Sequence, residues 1–322
     1  MKNLNHVFNI IFGGSGFIGQ HLVDKLKSNY INLDIVVAPG NYQYCDVRKQ
    51  MNVELPILSN SVIFNLAALC TIPKYKEREY FETNILGAEN ICNFARTQNI
   101  NTIVFTSSIA PYGMRENIVT EESLPMPTNE YGISKLVAEH IHRTWQAEKP
   151  DERKLIILRP GIVFGQNEGG NFTRLYKSMS RGLFFFPGRK DTKKACIYVK
   201  DLVKIMKKFS NDTSPGVTLY NACYPEPHSI REICQTISNV TNVKMPRVRI
   251  PAVLLKTIAS LLYSCGKLFG MEFIGIHPDR VKKLMVSTNV LGRKLNDKFK
   301  LNYSLNEALE DWYSDCDNDG LY

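Results

Sequence analysis

The sequence predicts a doubly wound α/β protein, in which a parallel sheet is accompanied by a smaller C-terminal lobe. Short apolar runs typical of β-strands recur along the first half of its 322 residues, and segments with helical periodicity lie between them. This alternation indicates βαβ units, whose right-handed crossovers place helices on both faces of a parallel sheet. Ligands of such sheets bind beyond the carboxyl ends of the strands.

The predicted strands of the sheet are residues 8–12, 34–37, 62–66, 103–106 and 155–158. Helical periodicity lies between them, at residues 18–26 and 88–94. After about residue 165 the alternation loosens, and loops rich in Gly, Asn and Pro intervene. We therefore predict a first domain at 1–165, with 195–222 returning to it through strands at 197–199 and 218–221. The substrate-binding lobe would comprise 166–194 and 223–322.

Composition is typical of a cytoplasmic globular protein. Hydrophobic residues make up 44% of the chain, which suffices for a full core. The eight cysteines include no CxxC pair and fit no zinc ligand set, so they resemble reduced core thiols, and no metal is expected. The N-terminus lacks the layout of a signal peptide. Lys256, Lys267 and Glu272 interrupt the most hydrophobic stretch, residues 252–276, so no stable membrane insertion is expected.

Positive charge is concentrated in two stretches of a chain whose formal net charge is +9. Residues 174–208 carry eleven Lys or Arg against two Asp, and residues 280–300 carry seven against one. A solvated face is the ordinary explanation, while an anionic substrate, nucleic acid or an acidic membrane surface are the more specific ones. No recognised nucleic-acid-binding motif is found, so we favour an anionic small molecule and expect no nucleic-acid partner.

The first predicted strand runs directly into GGSGFIG at residues 13–19, and a predicted helix follows. Glycines at 13, 16 and 19 permit a tight turn, close approach of the backbone to a pyrophosphate, and close packing of helix on strand. The free N–H groups of the helix N-terminus would face the phosphates. This arrangement predicts a dinucleotide-binding domain.

The residue that distinguishes NAD from NADP is not evident in the sequence. In such domains an acidic residue that closes the second strand takes the ribose hydroxyls of NAD, and a basic one accommodates NADP. The second predicted strand, Ile35-Val36-Val37, runs into Ala38-Pro39-Gly40, which carries neither charge. The choice between the two cofactors stays open on this pattern.

Tyr131 and Lys135 are four residues apart on a predicted helix, which places them on one face. A lysine cation there would favour the phenolate and lower the pKa of the tyrosine towards working pH, as a general acid or base needs. The spacing alone is also typical of an ordinary surface pair.

Several motifs in order resemble the extended short-chain dehydrogenase/reductases, and within them the nucleotide-sugar epimerase/dehydratase group, whose fold is Rossmann-like. The motifs are GxxGxxG at 13–19, Asp46-Val47, NLAA at 65–68, NILGAENI at 84–91, Ser107-Ser108, YGISK at 131–135, RPGIVFG at 159–165 and IYVKDL at 197–202. They cover nearly the whole chain.

The resemblance implies NAD as cofactor, without excluding NADP, and it implies that the chain is an enzyme. It assigns cofactor binding to Gly13, Gly16, Phe17, Ile18, Gly19, Asp46, Val47, Leu66, Ala67, Ala68, Asn84, Tyr131, Lys135, Pro160 and Ile162. Of these, Asp46 and Val47 would lie at the adenine, and Asn84 would support the active-site water and backbone geometry. Pro160 and Ile162 would pack on the nicotinamide.

The resemblance further implies three catalytic residues and a substrate. Ser108 would hydrogen-bond the reacting sugar oxygen, Tyr131 would exchange its proton, and Lys135 would hold the nicotinamide ribose. The substrate would be a nucleotide-diphosphate sugar, bound by Ser108, Asn171, Phe172, Arg174, Lys194 and Arg280. Lys194 stands where relatives often carry an arginine, which weakens that assignment. A homodimer formed through helices such as 88–95 and 135–145 is also implied.

The residues after Ser108 narrow the reaction. In the family's 4,6-dehydratases an Asp-Glu pair follows the hydroxyl residue directly, whereas here Ile109-Ala110-Pro111-Tyr112 follows, which argues against dehydration. We therefore predict an NAD(P)-dependent epimerase acting at a ring carbon, C4 first, of a nucleotide-diphosphate hexose. An NAD(P)H-dependent 4-keto-sugar reductase is the alternative. A non-catalytic scaffold that binds nucleotide or RNA, and a steroid- or flavonoid-type reductase, are further possibilities.

Overall fold

A computed structural model describes residues 7–51, 53, 55, 60–70, 75–212, 214–255, 257 and 285–322. The strands of these residues are β1 (Asn9–Phe12), β2 (Tyr30–Asp34), β3 (Tyr42–Tyr44), β4 (Val62–Asn65), β5 (Thr102–Thr106), β6 (Arg115–Val119), β7 (Lys154–Pro160), β8 (Ile162–Phe164), β9 (Phe186–Pro187), β10 (Lys193–Lys194), β11 (Cys196–Tyr198), β12 (Gly216–Ala222), β13 (His228–Ser229), β14 (Arg249–Ile250) and β15 (Thr288–Val290).

The helices of the same residues are α1 (Phe17–Leu26), α2 (Glu77–Phe81), α3 (Gly87–Thr97), α4 (Glu130–Ala147), α5 (Asn171–Ser180), α6 (Val199–Ser210), α7 (Ile230–Thr241), Arg293–Lys298 and Leu305–Asp315. A π-helical turn, Glu82–Leu86, joins α2 to α3, so the chain is helical without a break from Glu77 to Thr97. A single 3₁₀ turn, Ala110–Tyr112, follows β5.

Seven parallel strands form the main sheet, in the order β12-β7-β5-β4-β1-β2-β3. Strand β1 lies between β2 and β4, and the strand order reverses there. Such a reversal opens a crevice at the carboxyl ends of the strands, where doubly wound sheets bind their ligands. The fold class predicted from the sequence, a doubly wound parallel sheet, is confirmed.

Two hydrophobic cores cover the two faces of the main sheet. Ile10 and Phe12 of β1 contribute to the core beneath α3 and α4, while Ile11 between them contributes to the core beneath α1 and α6. The alternation follows from the two-residue period of side chains along a strand. Because both faces are buried, the strands are apolar throughout, which is why the sequence showed continuous apolar runs.

Four predicted strands are confirmed within two residues of their observed ends, but the second is wrong. Strand β2 covers residues 30–34, whereas Ile35, Val36 and Val37, predicted to form it, lie beyond its end with 51%, 58% and 78% of their surface exposed. Strand β2 pairs with β1 as far as Leu33 and with β3 as far as Asp34, so no neighbour is left to bury the three apolar residues.

Smaller sheets form outside the main sheet. Strands β13, β10, β15 and β6 form one of four strands, and β11 pairs with β8 and β14 with β9. The predicted strand at 218–221 lies in β12, at the edge of the main sheet, whereas the one at 197–199 coincides with β11. Most of the hydrophobic stretch 252–276 lies outside the described residues. Among the described residues, no helix combines the length and apolar character needed to cross a bilayer.

Candidate active site

The glycine-rich loop between β1 and α1 has the geometry predicted for a phosphate cradle. Gly13 has a φ of +85°, and a Cβ built on it would lie 2.6 Å from the backbone nitrogen of Ala67. A Cβ at Gly19 would lie 2.5 Å from the carbonyl oxygen of Gly13, so only glycine lets α1 start this close to β1. Gly16 is the N-cap of α1 and offers no capping side chain, so the first amides of the helix face the crevice.

Asp34 closes β2 beside this loop, a position that the sequence did not reveal. One carboxylate oxygen accepts a hydrogen bond from the backbone nitrogen of Ser15 at 3.0 Å, and the other accepts from Val36. A carboxylate in this place, about 20 residues after the loop begins, is the ribose-binding acid of NAD-dependent domains. The prediction that the second strand ends without a charged residue was therefore wrong. The strand ends at Asp34, three residues earlier than predicted.

Asp46 and Val47, predicted at the adenine, follow β3 on the same side. Two nitrogens of the Arg48 side chain lie 2.8 Å from the two oxygens of Asp46. The hydrogen bond to Arg48 holds the pKa of Asp46 below its ordinary value. Val47 packs on Gly87, where a Cβ would approach it to 2.9 Å. The pair thus lies on a fixed surface between β3 and α3, with Asp46 ionised.

Leu66, Ala67 and Ala68 follow β4 at the reversal of strand order, and Ala67 lies against Gly13. Asn84, in the π-helical turn, holds the end of this segment: its Oδ1 accepts from the backbone nitrogen of Leu69 at 2.9 Å and its Nδ2 donates to the oxygen at 3.1 Å. The same Nδ2 donates to Ser134 at 2.9 Å. Asn84 therefore ties the loop after β4 to the helix that carries Tyr131.

Helix α4 brings Tyr131 next to Ser108. Its N-cap, Asn129, accepts a hydrogen bond from the backbone nitrogen of Gly132 at 2.9 Å, which stabilises the first turn. A Cβ at Gly132 would lie 2.7 Å from the carbonyl oxygen of Ala110, so this glycine lets α4 pack closely on the turn after Ser108. The hydroxyl of Ser108 lies close enough to the phenol of Tyr131 to lower its pKa, so the two side chains face the same point, as a shared proton site requires.

Burial, rather than the lysine, dominates the proton affinity of Tyr131. The ring is partly exposed, but burial of the hydroxyl raises its pKa above the ordinary value; Cys70 and Tyr80 add to this, and the hydrogen bond with Ser108 opposes it. The lowered pKa predicted from the Tyr131–Lys135 spacing does not hold in this structure, because loss of hydration disfavours the phenolate. The protonated form of Tyr131 is therefore favoured, so an adjacent cation is needed for it to act as a base.

Lys135 is buried one helical turn further along α4. Burial lowers its pKa to about 8, while Cys70 and Glu139 act in the opposite direction. Its Nζ lies 4.5 Å from the centre of the Phe105 ring. A buried ammonium held over an aromatic face, beside the crevice, suits a role as a donor to a bound hydroxyl group.

A buried ion pair, not predicted from the sequence, underlies these residues. Glu139 follows Lys135 on the same face of α4, and Arg159 of β7 binds it through two hydrogen bonds of 2.8 and 2.6 Å. Both side chains are almost completely buried. The hydroxyl of Ser107 donates to Glu139 at 2.5 Å. Ser107 precedes Ser108, Arg159 precedes Pro160, and Glu139 itself lies on α4 with Tyr131. The Glu139 carboxylate therefore joins the three segments that contribute these residues to the site.

Pro160 and Ile162 lie on either side of Gly161, where β7 ends and β8 begins. The carbonyl oxygen of Pro160 accepts from the backbone nitrogen of Ile109 at 3.1 Å, and the nitrogen of Ile162 donates to Ala195 at 2.8 Å. The structure thus places these two predicted nicotinamide contacts beside the segment that follows Ser108.

The predicted substrate residues after β8 are less favourably placed. The side chain of Phe172 is buried and stacks on Phe164 with ring centres 4.4 Å apart, so it is not exposed on the surface of the site. Glu168 accepts hydrogen bonds from the backbone nitrogens of Phe172 and Thr173 at the start of α5. Asn171 is exposed beside them. These contacts place a carboxylate where the resemblance implied a phosphate.

The cations predicted to bind the substrate differ in how far they are buried. Arg174 is exposed, and its Nε donates to the carbonyl oxygen of Gly170 at 2.9 Å. Lys194 is buried, and its Nζ donates to the carbonyl oxygen of Val286 at 2.8 Å; burial lowers its pKa to about 8. Arg280 lies outside the described residues.

The geometry fits a dinucleotide cofactor and defines a class of protein. A glycine cradle that any Cβ would fill, uncapped helix amides beside it and a carboxylate at the end of β2 are the features that hold the pyrophosphate and ribose of NAD. The adjacent side chains of Ser108 and Tyr131, and a buried lysine one helical turn further on, lie at the same end of the sheet. The chain therefore has the fold and site of an α/β dehydrogenase-type enzyme.

The family follows from comparison with known proteins. Residues 9–223 match the family described as the NAD dependent epimerase/dehydratase family, and the chain belongs to it. It is an NAD(P)-dependent enzyme of the extended short-chain dehydrogenase/reductase type, as the sequence motifs predicted.

Individual relatives span most of the chain. The N-acetyl-alpha-D-glucosaminyl-diphospho-ditrans,octacis-undecaprenol 4-epimerase of Escherichia coli O157:H7 is 27% identical over 307 residues, which cover 94% of this chain and 92% of that protein. The GDP-6-deoxy-D-mannose reductase of Pseudomonas aeruginosa is 24% identical over 258 residues, covering 75% and 83%. MoeE5, solved in complex with UDP-glucuronic acid and NAD, superposes with a TM-score of 0.72 at 21% identity, covering 96% and 99%.

Proposed function

We propose that the protein is an NAD-dependent 4-epimerase of a diphosphate-linked hexose, with Tyr131 as its acid and base. The adjacent side chains of Ser108 and Tyr131, set one helical turn from Lys135, are the observation that carries this proposal. The segment after Ser108 supplies no carboxylate, which favours chemistry at one ring carbon over dehydration. Relatives that are named as 4-epimerases support the same reaction.

The protein's own part in the reaction is to orient the sugar and manage one proton. When bound, the nicotinamide supplies the hydride chemistry. Ser108 holds the C4 oxygen of the sugar by a hydrogen bond, and Tyr131 accepts its proton as the C–H bond breaks, then returns it as the hydrogen is restored to the opposite face. Lys135 holds the nicotinamide ribose and, by its charge, stabilises the phenolate form in which Tyr131 accepts the proton and which is restored when the proton is returned.

The group that carries the diphosphate has two candidates. A nucleoside is the first, since several relatives are named as UDP-glucose 4-epimerases. A polyprenol is the second, because the relative that matches over 94% of this chain is named for a sugar diphosphate linked to undecaprenol. Asp34 and the glycine loop serve the cofactor in either case, so the choice depends on the substrate lobe.

Substitution of Tyr131 by Phe tests the assignment. The variant should fold and bind NAD, but its turnover should fall by about 100-fold or more, since a positioned acid–base group contributes about that much. Turnover is measured by NMR on UDP-, GDP-, CDP- and dTDP-hexoses and on a polyprenyl-diphosphate hexose. Tyr313→Phe, the same loss of a hydroxyl on the C-terminal helix, is the control. Unchanged turnover in Tyr131→Phe would refute the role of Tyr131.

The same assay separates an epimerase from a reductase. An epimerase interconverts the two C4 epimers with no added NAD(P)H, because the hydride is returned to the substrate. A 4-keto-sugar reductase, the activity class to which the GDP-6-deoxy-D-mannose reductase relative belongs, consumes added NAD(P)H. Consumption of NADPH without interconversion would overturn the epimerase proposal in favour of the reductase.

A further inference from the structure

Two stretches of the chain carry positive charge with no acidic residue among them. Residues 169–190 contain five Lys or Arg and residues 242–255 contain three, and neither stretch contains Asp or Glu. The first stretch spans α5 and β9, and the second leads from the end of α7 through β14 to a helical segment at 252–255. Of these eight cations only Arg174 was predicted to bind the substrate, so most of this charge is not assigned to the proposed reaction.

The fold brings the two stretches together. Strand β9 pairs with β14 in parallel, with Phe186 opposite Arg249 and Pro187 opposite Ile250. The Nζ of Lys190 lies 3.5 Å from the carbonyl oxygen of Arg247, and a Cβ at Gly188 would lie 3.4 Å from that of Ala252. We call residues 181–190 and 244–255 together the basic surface.

Large apolar side chains are exposed on the basic surface. Leu183, Val248, Val253 and Leu254 expose 67%, 61%, 76% and 51% of their surface. Leu183 lies in the turn after α5, Val248 directly before β14, and the other two in the helical segment after it. Single exposed apolar residues are ordinary, but four on segments joined by one strand pair, flanked by cations, indicate an interaction site.

The cations of the basic surface are also largely uncompensated. Arg181, Lys244, Arg247 and Arg249 are exposed, and none forms an ion pair within the part of the chain that the structure describes. Arg189 differs, since it is paired with Glu116 and Asp191. Some exposed cations elsewhere, such as Arg78 and Lys149, have acidic partners on their own helix or turn.

We propose that the basic surface docks the protein on an anionic lipid bilayer. Exposed apolar side chains flanked by Lys and Arg are the combination that binds such an interface, because the apolar groups enter the boundary of headgroups and acyl chains while the cations face lipid phosphates. A nucleic acid would use the cations but offers nothing for Leu183 and Val253. A protein partner would need a matching surface that is both acidic and apolar.

Electrostatic attraction supplies a measurable part of this binding. Each Lys or Arg held near an anionic membrane contributes about 1 kcal/mol, and the contribution is screened by salt over about 10 Å at 0.1 M. Four unpaired cations with four exposed apolar residues therefore suffice for reversible peripheral binding, without a spanning segment. The docking does not depend on the proposed reaction, because it involves no residue of the crevice.

Flotation of the purified full-length chain with lipid vesicles tests the proposal. Binding is expected to vesicles of phosphatidylcholine with one quarter phosphatidylglycerol, to weaken about tenfold or more in 0.5 M NaCl, and to be absent with phosphatidylcholine alone. Arg181→Glu/Arg247→Glu should lower the partition coefficient by about tenfold or more. Leu183→Asp/Val253→Asp should lower it comparably, because those side chains would no longer enter the interface.

Matched variants elsewhere identify the surface. Lys25→Glu/Lys49→Glu changes the net charge by the same amount on exposed residues of the first domain, and Val37→Asp/Ile118→Asp introduces the same carboxylates at residues 78% and 63% exposed. Both controls should bind vesicles as the unaltered chain does. Equal losses in the controls, no binding to anionic vesicles, or tight RNA binding abolished by Arg181→Glu/Arg247→Glu with vesicle binding unchanged would each overturn the proposal.

Discussion

The charged side chains beneath the proposed catalytic residues differ from those of the basic surface in both burial and pairing. Glu139 and Arg159 are almost completely buried, joined by two hydrogen bonds, and shared with Ser107. Arg181, Arg247 and Arg249 are exposed and have no acidic partner among the described residues. Buried charges persist only when paired and hydrogen-bonded, whereas exposed ones remain hydrated and free for a ligand.

The contrast separates residues that stabilise the site from residues that are available to bind a ligand at the surface. Removing one member of the buried pair leaves the other without hydration or partner, so the whole fold is affected. Removing an exposed cation costs the fold little, so any loss belongs to binding. Substitutions in the buried pair should therefore change the free energy of unfolding, whereas substitutions in the basic surface should change binding.

The largest expected effect is on stability. Glu139→Ala leaves Arg159 buried without a counter-charge and should lower the free energy of unfolding by about 3–5 kcal/mol, measured by urea denaturation. Glu139→Leu/Arg159→Met removes both charges and should recover most of that loss. Glu152→Ala, which breaks the exposed pair with Lys149, should change it by less than about 1 kcal/mol. A similar small loss in Glu139→Ala would refute the contrast.

A smaller effect, about tenfold, is expected on cofactor choice. Asp34→Asn removes the charged acceptor at the end of β2 and should weaken NAD by about tenfold, since a hydrogen bond to a charged group contributes about 1.5–3 kcal/mol. NADP, whose 2′-phosphate the carboxylate repels, should bind no worse than before. Affinities are measured by calorimetry, with Asp24→Asn on α1 as control. An unchanged ratio of the two affinities would show that Asp34 does not contact the ribose.

The smallest effect is a pH dependence. The buried Lys135 has a pKa lowered to about 8, so its ammonium is present below that pH and is lost as the pH rises through it. NAD affinity should therefore be constant from pH 6 to 7 and fall a few-fold by pH 9.5, as the charged donor disappears. In Lys135→Met the affinity should be weaker and independent of pH over this range. A pH step that persists in that variant would belong to another group.

The sequence predicted well those parts of the site where the chemistry demands particular residues at fixed spacing. A cradle for a pyrophosphate needs glycines at 13, 16 and 19, and a tyrosine next to a serine needs the strand β5 that leads into Ser108. Local order along the chain carries such requirements, so the glycine loop, the Ser108–Tyr131 pair and the sheet itself could all be predicted. Asp34 could not, because Ile35-Val36-Val37 has strong strand propensity and only the lack of a neighbouring strand ends β2 before it.

Features that depend on packing between distant segments could not be predicted from the sequence either. Arg159 and Glu139 lie 20 residues apart on different elements, and neither has a local pattern that marks it as a partner of the other. Phe172 belongs to a motif of the family, but its stacking on Phe164 follows from how α5 packs on β8. The raised pKa of Tyr131 likewise depends on burial, which the Tyr–Lys spacing does not reveal.

The direction in which the Asn84 side chain points depends on the π-helical turn at Glu82–Leu86. A π turn accommodates one more residue than an α turn, so the helix before it and the helix after it are out of step by one position. Deleting a single residue between 82 and 86 could leave a regular helix from end to end, yet it would rotate Asn84 away from Leu69 and Ser134. The irregular turn thus directs the Asn84 side chain so that it joins the loop after β4, at Leu69, to helix α4, at Ser134.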